Sequence, residues 1–151
     1  MKFYFLDVFG TDKYSGNQLA TFFDFGTLST EEMQKIAKEI NFSETTFITN
    51  ESLVDNGYPV RIFTPGSEIP FAGHPTLGTA YIIKKYIDRT EGKQIILNYS
   101  AGQIPVTIDN DELWMTHQQP QFGEGLSRSL LSKVLGLKEA EIDEKFPVLE
   151  V

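Results

Sequence analysis

The sequence predicts an α+β fold: a mostly antiparallel sheet, curled as a barrel around one central buried helix, with one amphipathic helix outside it. Three observations predict this arrangement. Short β-forming segments recur along most of the first 117 positions. The stretch 61–86 reads as strand, turn and helix, and that helix carries Leu77, Ala80, Tyr81, Ile82 and Ile83 on all sides of its axis, with no charge before Lys84. A helix apolar on every side is buried on every side or spans a membrane, and this one falls far short of the ~20 apolar residues a span needs. Residues 29–40, by contrast, show a single stripe of Met33, Ile36, Ala37 and Ile40, the pattern of a helix lying on the outside. A sheet curling around the first helix removes it from water and shortens its own exposed edges.

The elements follow in order. Residues 2–9 form a strand, 10–16 a polar loop holding Asp12 and Ser15, and 18–25 a second strand pairing antiparallel with the first. Asn17 sits at the mouth of the loop, where a turn role is the simplest reading. In the outer helix, Ser29 and Glu32 make a capping box and Asn41 can close the end in a left-handed conformation. A strand over 42–49 then carries Glu44, the sole charge between Glu39 and Glu51, among Ser and Thr hydroxyls and flanked by Phe42 and Phe47. Strand alternation puts Phe42, Glu44 and Thr46 on one face. Glu44 is then either an edge-strand carboxylate in water or a half-buried one suited to proton transfer, with Phe42, Phe47 and Phe71 as candidates to keep it dry.

A polar turn over 50–57 leads to a strand over 58–64, then to two glycine-rich turns, Pro65-Gly66 and Ala72-Gly73. Pro75 suits a first helical turn, where a missing N–H costs nothing. His74 falls at or beside the N-cap, either closing the turn or reaching a ligand, and the N–H groups there favour an anion. Gly78 would let a neighbouring backbone approach closely. Beyond a charged loop, strands over 93–99 and 103–108 form a tight hairpin at 100–102, and a last strand covers 112–117. From 118 the periodicity stops: a linker, a helix over 127–137, a charged turn and an apolar strand beginning at 146. The expected organisation is a half-domain over 1–120, followed over 121–151 by the linker, helix and first strand of an incomplete second half.

Composition narrows the function. A chain of 151 residues with 40% hydrophobic and 13% aromatic content supports a substantial core. The net charge of −8 argues against a nucleic-acid or anionic-membrane partner. With 0 Cys there are no disulfides, thiolate zinc sites, cysteine nucleophiles or two-thiol racemase chemistry, and 2 His argue against a multi-histidine metal site. The opening residues are too short for a signal segment, so a cytoplasmic location is expected.

Two spaced blocks, Ser43-Glu44-Thr45-Thr46-Phe47 and Phe63-Thr64-Pro65…Glu68-Ile69-Pro70-Phe71-Ala72-Gly73-His74-Pro75-Thr76-Leu77-Gly78, resemble the phenazine-biosynthesis isomerase (PhzF-like) family, within the wider diaminopimelate-epimerase-like fold. Asp7-Val-Phe…Gly16-Asn17, the Ala101-Gly102 hairpin and Leu113-Trp-Met115 running into Pro120 resemble it too, so the similarity covers essentially the whole chain. The resemblance implies a protein of about twice this length with two similar halves, each a barrel-like sheet around a helix, and a site in the cleft between them. It implies that Glu44 is the catalytic proton shuttle and that Gly73 and His74 contact substrate. Ser43 and Asn17, in the matching blocks, join them as substrate-binding candidates. It further implies isomerisation without cofactor, as in members acting on trans-2,3-dihydro-3-hydroxyanthranilate. Gln18 departs from the proline the family usually has after the asparagine, and the contacts the family takes from its second half cannot be mapped onto this chain.

Two functions follow as expectations. One is a cofactor-independent isomerase moving a proton on a small cyclic or amino-acid-like carboxylic acid. The other is a non-catalytic half-domain, or a truncated or split product, that binds a small acid or a partner chain. Either favours association, as a homo-oligomer or with a second half-domain, because an uncovered apolar cleft face promotes it.

Overall fold

The structure, a computed structural model, describes every residue except Asp111, Gln118 and Val151. The chain divides into two compact units, Met1–Thr116 and His117–Val151. The first holds β1 (Lys2–Val8), β2 (Asn17–Phe23), α1 (Thr30–Ile40), β3 (Glu44–Ile48), β4 (Tyr58–Phe63), β5 (Glu68–Ile69), α2 (Gly73–Tyr86), β6 (Gln94–Tyr99), β7 (Gly102–Asp109) and β8 (Glu112–Met115). Its strands join in one curled sheet in the order β1-β2-β3-β4-β6-β7-β8, with β5 paired to β4. Most pairs are antiparallel, as in β1 with β2 and β6 with β7. The two parallel pairs, β2 with β3 and β4 with β6, occur where a helix intervenes. A helical crossover returns the chain in its original direction, which a tight turn cannot do.

Two cores follow from strand alternation. On the concave side, Ile48, Val60, Ile62, Leu97, Ile104 and Val106 pack on Ala80, Ile82 and Ile83 of α2. On the convex side, Ala20, Phe22, Phe47 and Phe63 pack on Met33 and Ala37 of α1. The caps of α1 are those the sequence predicts. Ser29 N donates to Glu32 Oε2 at 2.8 Å, Glu32 N donates to Ser29 Oγ at 3.3 Å, and Asn41 is left-handed with φ 57°. The hairpin between β6 and β7 turns through Ser100 and Ala101, with Gly102 at φ 119°.

Three expectations need correction. The two-residue strand β5 lies within the stretch read as turns, held to β4 by a bidentate pair from Arg61 to Glu68 at 2.7 and 2.6 Å. The sheet does not enclose α2 completely. Its end strands β1 and β8 leave a groove of about 950 Å³, lined by Tyr4, Leu6, Leu77, Tyr81, Lys85 and Trp114, in which Tyr81 is 44% exposed. Tyrosine tolerates this because its ring is apolar and its hydroxyl is not. Third, a Cβ on Gly78 would lie 2.6 Å from Leu19 Cδ2 and 2.9 Å from Val8 Cγ2, so its neighbours are side chains rather than backbone.

Gly16 is the tighter glycine. A Cβ there would lie 2.6 Å from the Val8 carbonyl oxygen and 2.8 Å from the Asp7 carbonyl carbon, both main chain. Gly16→Ala is expected to destabilise the protein by about 1–3 kcal/mol, read as a lower urea midpoint at unchanged slope.

After α2, Asp88 organises the turn. Lys84 Nζ donates to its Oδ2 at 2.9 Å, and the Thr90 N–H and hydroxyl donate to its two oxygens, each at 3.1 Å. Burial would raise its pKa, but the Lys84 and Thr90 contacts outweigh burial and hold it below the usual carboxylate value. A carboxylate with a depressed folded pKa favours folding above its unfolded pKa of ~3.9 and loses that contribution as pH falls through the folded value. Asp88→Asn is therefore expected to cost about 1–3 kcal/mol at neutral pH and to flatten the acid limb of stability measured by urea titration.

The second unit carries α3 (Arg128–Leu135), capped by Ser127 and by left-handed Gly136 at φ 68°. Arg128 pairs with Glu144 at 2.6 Å, and a single bridge joins Gly125 to Leu149. The strand expected from 146 is that isolated bridge among the described residues, and its last residue, Val151, lies outside them.

Candidate active site

The first turn of α2, the first residue of β3 and the first residue of β2 meet at one end of the sheet. Glu44 opens β3, and its parity with Thr46 aims it toward α2. Beneath it, Thr46 Oγ1 lies 3.0 Å from Thr21 Oγ1 and 2.8 Å from Thr79 Oγ1, a buried hydroxyl chain joining β2, β3 and α2. Polar groups buried together in this way satisfy one another and fix the elements that carry them.

His74 is the second residue of α2, not its cap. The N-cap is Ala72, with no side-chain cap bond, and the Thr76 hydroxyl donates to the Ala72 carbonyl at 2.7 Å. The imidazole is therefore available for other contacts. Its Nε2 lies 3.4 Å from Glu44 Oε2, with side-chain exposures of 10% and 18%. Among the described residues neither atom has an aligned hydrogen-bond partner. On the other side of the ring, Asn17 Nδ2 lies 3.2 Å from Nδ1, and Ser43 Oγ lies 3.4 Å from Asn17 Oδ1.

The structure thus brings Glu44 of β3, His74 of α2 and Asn17 of β2 together with Ser43, the residue before β3, and Gly73 stands one residue before the histidine. The N–H groups of Gly73 and His74 belong to the first helical turn, which has no intrahelical acceptor for them. A Cβ on Gly73 would meet nothing nearer than Met115 Cε at 3.9 Å, so the space where a side chain would stand there is open. A carboxylate beside an imidazole and a helix N-terminus can hold an anionic group and exchange a proton with it.

The aromatic expectations fare differently. Phe47 points to the opposite face, stacked on Phe22 at 5.2 Å and edge-on to Phe63 at 5.5 Å beneath α1. Phe42 packs into that same convex core and against Phe5 at 5.3 Å. Neither belongs to the concave core of α2. Phe71 does, and meets Tyr99 edge-on at 6.2 Å. The Tyr99 phenol is pushed well up by burial, with Thr76 acting in the opposite sense, and so stays neutral. Sequence reasoning missed the Asn17–His74 contact and the threonine chain. The alternation of Thr46 with Glu44 was the available signal for the latter.

A family profile described as phenazine biosynthesis-like protein matches residues 6–149. The chain belongs to this family. It is 38% identical over 138 residues to the trans-2,3-dihydro-3-hydroxyanthranilate isomerase of Pseudomonas aeruginosa, covering 88% of this chain and 48% of that protein. It is 36% identical over 143 residues to antisense-enhancing sequence 1 of Schizosaccharomyces pombe, covering 92% of this chain and 45% of that protein. A PhzF-family phenazine biosynthesis protein of Bacillus anthracis superposes with a TM-score of 0.76 at 30% identity, over 99% of this chain and 52% of that one. The chain spans about half the length of the relatives it matches. Family relatives bear isomerase names, and the curled half-barrel is shared with PhzF proteins of known structure. Among the described residues, no group of three or more His, Cys, Asp or Glu could hold a metal ion, and no helix is long and apolar enough to cross a membrane.

Proposed function

We propose that this chain supplies the first half of a cofactor-independent isomerase site, in which Glu44 moves a proton on a small cyclic or amino-acid-like carboxylic acid. The Glu44 carboxylate takes a proton from one carbon, the electron pair stays in the substrate's conjugated system, and the same carboxyl returns the proton to another carbon. Nothing is oxidised or reduced, and one group serves as base and then as acid. Gly73 and His74 hold the substrate's carboxylate or hydroxyl at the helix N-terminus, with Ser43 and Asn17 completing the near wall. The observation that carries this reading is the 3.4 Å approach of Glu44 to His74 at the open first turn of α2. The name of the Pseudomonas relative supports trans-2,3-dihydro-3-hydroxyanthranilate as the first compound to test.

The reading takes 1–120 as the first half-domain and 121–151 as the start of a second. The far wall comes from a second half or a partner chain, in the cytoplasm, because a one-walled cleft neither excludes water nor fixes a substrate. The test is solvent exchange: trans-2,3-dihydro-3-hydroxyanthranilate and a panel of cyclic amino acids are incubated with the protein in deuterated water and scored for carbon-bound deuterium. A second reading rests on the chain's spanning half the length of its relatives. A non-catalytic half-domain would bind such acids, seen by calorimetry, and exchange none of their protons.

A further inference from the structure

Asn17 has both ends of its amide engaged within the chain: Nδ2 faces His74 Nδ1 at 3.2 Å, and Oδ1 faces the Ser43 hydroxyl at 3.4 Å. A neutral imidazole has one N–H and one bare nitrogen. An amide NH₂ can only donate, so the nitrogen it meets must be the bare one, and the ring proton goes to the other. In the placement the structure gives the amide, the Ser43 hydroxyl donates to Oδ1 and the NH₂ is turned toward the ring. We infer that Asn17 is a positioning residue that sets the His74 tautomer, with Nδ1 bare and the proton on Nε2, facing Glu44. Ser43 holds the Asn17 amide in the orientation this requires.

The consequence is a division of labour. With Nδ1 occupied, His74 presents a hydrogen-bond donor, not a base, to whatever lies beside Glu44. The carboxylate 3.4 Å away is then the group that takes the proton, and Nε2–H is free to stabilise charge building on a substrate oxygen. Nε2 and Oε2 are both buried without an aligned partner among the described residues. The catalytic meaning of this device rests on the function proposed above, but its test does not.

The chain has 2 His, so nitrogen-15 labelling of histidine yields two ring systems, assigned with a His117→Gln variant. At mildly alkaline pH, wild-type His74 is expected to show Nδ1 as an imine-type and Nε2 as a protonated, pyrrole-type nitrogen. A scalar coupling across the Asn17 Nδ2–H to His74 Nδ1 hydrogen bond is expected as well. In Asn17→Asp a carboxylate replaces the donor, and Nδ1 is expected to gain a proton. A wild-type ring protonated at Nδ1, or lacking the coupling, overturns the inference whether or not the variant folds. So does a folded Asn17→Asp whose Nδ1 stays bare. Failure of deuterium exchange would overturn the isomerase reading and leave the tautomer result untouched.

Discussion

Glu44→Gln is expected to lower solvent-deuterium incorporation into a turned-over substrate by about 10²–10⁴-fold, the usual contribution of a positioned general base. The substitution keeps the shape of the side chain and its ability to accept a hydrogen bond, and removes its ability to carry a proton. Folding should be little affected. Glu44 is the first residue of β3, its Oε2 has no aligned partner among the described residues, and the threonine chain below it stays intact. The unfolding free energy from urea titration is therefore expected within about 0.5 kcal/mol of wild type. Equal incorporation by wild type and variant would remove Glu44 from the mechanism. A loss matched by His74→Gln, with substrate still bound, would place both residues on the reaction path.

Much of this arrangement was legible in the sequence because short-range rules govern it. The α1 stripe, its capping box and left-handed Asn41 depend on neighbours within a few positions, and all appear as expected. The meeting of Glu44 with His74 came from the family resemblance, since residues thirty apart carry no local signal of contact. What escaped the reading depends on the third dimension. Whether a sheet closes is set by accumulated twist and strand count, so the all-apolar pattern of α2 predicts an enclosed helix although Tyr81 lies in a groove between β1 and β8. Asn17 looked like a turn residue because its partner lies 57 positions away. Closeness in sequence suggests Phe47 as a neighbour of Glu44, while strand alternation turns odd and even positions to opposite faces and puts Phe47 in the cluster beneath α1.

Phe47→Ala turns that last point into a measurement, with an expected loss of about 3–5 kcal/mol. Phe47 is 0% exposed, stacked on Phe22 and edge-on to Phe63, with Met33 and Ala37 of α1 in the same cluster. Truncation leaves a cavity bounded by rings held in two strands and a helix, and such walls collapse only partly, so the cavity cost adds to the lost transfer energy. Against a domain stability of ~5–15 kcal/mol this is a large fraction, visible as a much lower urea midpoint. Activity should respond differently. Glu44 and Thr46 face α2 while Phe47 faces α1, so whatever fraction stays folded should exchange deuterium at the wild-type rate. A residue that kept the carboxylate dry would show the reverse, with exchange falling before stability did. Fast exchange in a weakened protein would assign Phe47 to the seat of α1, and slow exchange in a stable one would return it to the site.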